Sequence, residues 1–89
     1  MFNDISKAKS LLVQFSGSTQ VNRILELFNK PMSEELVGLL DKEAALARDD
    51  WYDVSQAEVI DEVCMYLIGV LRGHENPLFI RNLYEEHIG

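Results

Sequence analysis

Apolar residues recur along this chain at intervals of three and four, the spacing that gathers one stripe on one side of a helix. Ile5, Ala8, Leu11, Leu12 and Phe15 make the first stripe, which Asn3 or Asp4 can cap and which ends near Phe15. Ser16-Gly17-Ser18-Thr19 breaks the pattern: Gly17 is free to take a positive φ, and Ser18 or Thr19 can cap the second helix. Val21, Ile24, Leu25 and Phe28 form the second stripe. Asn29-Lys30-Pro31 closes it, because a residue before proline is pushed out of the α region.

Ser33 is placed to cap a third helix, with Met32 and Val37 spaced as a hydrophobic staple and Leu36, Val37, Leu40, Ala44 and Ala47 as its apolar side. Ser55-Gln56-Ala57-Glu58 matches a capping box, with Val54 and Val59 again at staple spacing. The fourth helix carries the widest apolar face, Val59, Ile60, Val63, Cys64, Leu67, Ile68 and Leu71, and is expected to be central. Gly73 suits the position just past its end. Asn76-Pro77 restarts the chain as cap and first helical residue, ahead of Leu78, Phe79, Ile80, Leu83 and Tyr84. No segment alternates with period two long enough to be a strand, and no repeat appears. The expectation is an all-α fold, a compact bundle of four to five short amphipathic helices without a sheet, as one domain over residues 1–89.

Composition agrees with a folded bundle: 47% hydrophobic residues can supply a modest core in 89 residues. A lone cysteine, Cys64, excludes an intramolecular disulfide framework and suits a reducing compartment. The start, MFNDISKAKS, has no unbroken apolar segment of the secretory kind. The longest apolar run, Val63–Leu71, is about half of the roughly 20 residues that cross a bilayer. A cytoplasmic protein that does not enter membranes is the expectation.

Charge changes the picture more. The net charge is −7, but residues 1–33 carry +2 and residues 34–62 carry −8, ten acids against Lys42 and Arg48. Such a field repels phosphate backbones, so direct nucleic-acid binding is disfavoured, and it attracts cationic partners. Acids near helix starts, such as Glu34, Glu35 and Glu58, are what the helix dipole favours and need no further reason. Asp41, Glu43, Asp49, Asp50 and Asp53 have no such reason, since the last turns of a helix prefer cations; Asp49 and Asp50, after Arg48, run against the dipole, and such local conflicts are often functional.

Candidate chemistry is sparse. Cys64 lies on the apolar stripe beside Ile60, Leu67 and Ile68, as a small buried hydrophobe would. His74 and His87 fall in a turn and at the chain end, with no spacing that ties either to a nucleophile. One cysteine and two histidines do not make a structural zinc site, and no CxxC or HxxxH occurs. Asp49–Asp53 fails as a calcium loop: counted from Asp49, the third position is Trp51 and the sixth Val54, where an oxygen ligand and glycine belong. Counted from Asp50 they are Tyr52 and Ser55. Ser16–Thr19 lacks the lysine of a phosphate-binding loop. The chain is read as not an enzyme, with no metal and no cofactor.

The working surface is expected around the stretch DDWYD. Asp49, Asp50 and Asp53, with Glu58, Asp61 and Glu62 on the next helix, would face cations. Trp51 and Tyr52 would either plug the bundle or stand out as an aromatic anchor, or divide the two roles. The reading is a small acidic inhibitor, of immunity, antitoxin or phage-antagonist type, that covers a basic, nucleic-acid-handling protein such as a nuclease. In outline, a small acidic helical chain with a carboxylate-rich helix and a tyrosine in the connection resembles the immunity proteins that cap nuclease bacteriocins; no residue is carried across from them. The alternative is a homo-oligomeric adaptor, a homodimer for instance, because Met65, Tyr66, Val70 and Leu78-Phe79-Ile80 add apolar surface.

Overall fold

Side-chain capping and backbone geometry set the starts of two helices and the end of a third. A computed structural model of the chain describes residues 4–31, 33–49, 54–74 and 78–88. It contains helices α1 (Asp4–Val13), α2 (Thr19–Leu27), α3 (Glu34–Arg48), α4 (Val54–Arg72) and α5 (Leu78–His87), and no strand among the described residues. Ser18 and Ser33 are extended N-caps whose hydroxyls accept from the Val21 and Leu36 N–H groups, each at 3.4 Å. Past α4, the His74 N–H donates to the Gly69 carbonyl at 2.7 Å and the Gly73 N–H to the Val70 carbonyl at 3.3 Å, the paired bonds of a Schellman ending. Gly73 takes φ +77°, as its place requires. Gly69 lets the returning chain approach, since a β-carbon there would stand 3.1 Å from the His74 carbonyl oxygen.

Several boundaries differ from expectation. α1 stops at Val13, and Phe15 lies half-buried in a turn. Phe15, Ser16 and Ser18 donate to carbonyls three residues back, which tightens the chain enough to present Ser18 as the next cap without a positive φ at Gly17. Ser55 is inside α4, not before it, and Val54 is 71% exposed, so neither the capping box nor the staple with buried Val59 forms. The start of α4 is instead tied to α2 through Gln56, whose side-chain amide donates to the Ser18 hydroxyl at 3.0 Å. The Met32 half of the other staple and the Asn76-Pro77 restart lie outside the described residues.

α4 supplies the largest share of the core, with Val59, Ile60, Val63, Cys64, Tyr66, Leu67 and Ile68 buried. It packs on α1, α3 and α5, most extensively on α3. Arg72 near Glu34 (3.9 Å) and Arg48 on Asp61 (3.1 Å) mark the two ends of an antiparallel α3–α4 hairpin. α1 and α5 close the other side: Arg81 grips Asp4 with two hydrogen bonds of 2.9 and 3.0 Å, and the Lys7 ammonium sits 5.4 Å from the centre of the Tyr84 ring. Tyr66 meets Phe79 edge-on at 6.0 Å, a pairing worth about 0.5–1.5 kcal/mol beyond its buried area. The radius of gyration, 12.0 Å, is what a close-packed chain of this length has. No described helix is long and apolar enough to cross a membrane.

Candidate protein-binding face

The outer side of the α3–α4 hairpin is built from two polar ridges. On α3, Glu34, Gly38, Asp41, Ala45 and Arg48 recur at heptad spacing and are all exposed, while Leu36, Val37, Leu40, Ala44 and Ala47 turn inward. On α4, Glu58, Asp61, Glu62 and Met65 stand away from the buried stripe, and Met65 is 46% exposed. Between the ridges lies an open cleft of about 300 Å³ with Val37 and Ile68 at its base.

The acids of this region fall into two groups. Some are neutralised within the fold. Glu43 is held by Arg23 at 3.1 and 3.2 Å and by the Gln20 amide at 3.3 Å, which ties α3 to α2. Asp61 accepts from Arg48 Nε at 3.1 Å, and the same guanidinium reaches Met65 Sδ at 4.0 Å. Others have no cation within ion-pair distance among the described residues: Asp41, Asp49 and Glu58 are exposed, and Glu62 is half-buried. Burial pushes the Glu62 carboxyl above its ordinary pKa, and the neighbouring Asp61 and Glu58 charges add to the shift.

Of the residues singled out from sequence, the fold brings Glu58, Asp61 and Glu62 together on one side of α4, with Asp61 engaged by Arg48. Asp49 caps the end of α3 in αR geometry, exposed, beside the carbonyls that its charge opposes. Asp50, Trp51, Tyr52 and Asp53 lie outside the described residues. Asp41 was marked from sequence as an acid the dipole does not favour but was not placed in the site; Gly38 and the paired Glu34 and Arg72 were not placed there either, although the heptad spacing of the α3 ridge joins Glu34, Gly38 and Asp41.

The surplus apolar surface read from sequence is mostly absorbed. Tyr66 and Ile80 are buried and Val70 and Phe79 half-buried, because α5 folds its apolar side onto α4 and α1; Met65 and Leu78 remain exposed. Cys64 is fully buried, and desolvation, helped by the Glu43 and Asp61 charges, pushes its thiol up to about 12. The described residues contain no group of three or more His, Cys, Asp or Glu side chains able to hold a metal ion. Comparison of the chain with family models, curated proteins and solved structures finds no match.

Proposed function

We propose that this chain is a non-enzymatic interaction protein that covers a basic protein through the outer face of its α3–α4 hairpin. One observation carries the reading. Two of the three cations of that hairpin, Arg48 and Arg72, are turned onto Asp61 and Glu34, and the third, Lys42, is exposed, while Asp41, Asp49, Glu58 and Glu62 have no cation within ion-pair distance among the described residues. A field of this sign speeds the approach of a basic surface and repels nucleic acid. In the finer form of the proposal the chain is an inhibitor, of the immunity, antitoxin or phage-antagonist kind. Its carboxylates would take the place of phosphates on a nucleic-acid-handling enzyme, with Trp51 or Tyr52 as anchor. Cytoplasmic residence belongs to the same proposal, on the strength of a sole, reduced cysteine.

The test is affinity capture from host lysate with wild type and with the triple variant Asp49→Lys/Glu58→Lys/Glu62→Lys, at low and high ionic strength. Wild type is expected to retain a basic protein that salt releases, and the variant is expected to lose it. Recovery of the same proteins by both, with equal salt sensitivity, would remove the proposal.

A further inference from the structure

We propose that the cleft between α3 and α4 receives a basic amphipathic helix of the partner, with one aliphatic side chain against Val37, Met65 and Ile68 and a lysine or arginine on Asp41. This inference rests on the acidic-face reading and names the form of the ligand.

The cleft combines three features that suit such an occupant. Its floor is made by the all-but-buried Val37 and Ile68, and its exposed apolar surface comes from the half-exposed Met65 side chain that lines it with them. Methionine adapts its shape to an incoming side chain more readily than a branched residue does. On the α3 wall Gly38 leaves the cleft open, since no heavy atom lies within 4 Å of where its β-carbon would be. A helix can therefore approach closely at that point.

Charge then selects among apolar ligands. Glu34 and Asp61, at the two ends of the hairpin, already have arginine neighbours. Asp41 borders the cleft between them and has no cation among the described residues. Glu58 and Glu62 extend the same sign along α4. A second copy of this chain would bring carboxylates against carboxylates. A basic helix would instead place a cation on Asp41 and others toward Glu58 and Glu62, one turn apart. The cleft is lined from Glu34 to Asp41 on α3 and from Met65 to Arg72 on α4, a run of about 10 Å at roughly 1.5 Å per residue, so it holds about two turns of a docked helix, whose further turns lie along the ridge toward Glu58. Helix-in-groove recognition of this type places its apolar residues at i, i+3, i+4 and i+7.

The experiment is a methyl and amide NMR titration of the full chain with three synthetic peptides of about four turns. The first is an amphipathic Leu/Lys helix, the second has the same composition scrambled to remove the apolar face, and the third is the first with Glu for Lys. The amphipathic basic peptide is expected to shift the Met65, Val37 and Ile68 methyl signals saturably, and the acidic one to shift none. Gly38→Leu fills the cleft and improves helix propensity, so the fold is retained. It and Asp41→Lys are each expected to weaken binding by about tenfold or more, the effect of losing one central anchor.

Equal shifts from the scrambled peptide, or unchanged affinity in Gly38→Leu, would overturn the groove while leaving the acidic face in place. A basic peptide that instead binds in extended form, without gaining helical amide signals, also overturns it. If no basic peptide binds and charge reversal changes nothing in the capture experiment, the acidic-face reading falls as well.

Discussion

Glu62 holds its charge at a cost to the fold. It is half-buried, one turn beyond Glu58 and next to Asp61, and all three influences favour its protonated form. A carboxyl whose folded-state pKa is raised favours the folded state when protonated, below its unfolded value of 4.5, and loses that advantage as pH rises through the folded value. Glu62→Gln is therefore expected to stabilise the protein at neutral pH by about 0.2–0.5 kcal/mol, the size of one like-charge pair on a helix. The gain should vanish near pH 4 and below; urea unfolding at the two pH values measures it. The same substitution should weaken capture of a basic partner, which is the trade expected of a binding residue. Asp61 shows what single-residue reading misses: periodicity puts it on the acidic side, but its engagement by Arg48 depends on how α3 and α4 pack. Cys64 was readable as core because its neighbours at i−4, i+3 and i+4 are all apolar.

At the level of helices, two glycines should respond oppositely to the same change. Gly73 sits at φ +77°, where an alanine is strained, and Gly73→Ala should cost about 1–2 kcal/mol. Gly38 lies in mid-helix with open space around it, and Gly38→Ala should gain about 0.8–1 kcal/mol from helix propensity. Thermal melts followed by circular dichroism separate the two. Helix number and several ends were legible in the sequence where the signal is local: Ser18 and Ser33 as caps and Gly73 as a terminator, while α2 already ends at Leu27, ahead of Pro31. The start of α4 was not legible. A serine three residues ahead of a glutamate has the same spacing before a helix or inside its first turn, and Gln56 is anchored by a serine 38 positions away. Phe15 misled for a similar reason, since its apolar side chain continues the stripe while its backbone has already left α1.

Across the whole molecule, the least legible feature was which helices meet. The stripes of α1 and α5 are alike in strength to several others, and nothing in either sequence names its neighbour. Their joining gives a pH signature opposite in sign to that of Glu62. The hydrogen bonds from Arg81 hold the Asp4 carboxyl below its ordinary pKa of 3.8, with burial opposing and the Arg81 and Lys7 charges assisting. Its contribution to stability is full above the unfolded value and is lost as pH falls through the folded one. Asp4→Asn should thus lower the melting temperature at neutral pH, by no more than about 4–8 °C given the worth of a surface ion pair. The difference from wild type should close as the solution is taken below pH 3.8, and scanning calorimetry across pH reads it.

The bond between Asp4 and Arg81 also spans 77 positions. During synthesis the α3–α4 hairpin has its partners close in sequence and can assemble as soon as both arms leave the ribosome. The buried side of α1, with Ala8, Leu11 and Leu12, packs on α5 as well as on α4 and α2, and is not fully covered until α5 has emerged. A nascent chain arrested before α5 should therefore leave the α5-facing side of α1 open to proteases and chaperones while already presenting its acidic face.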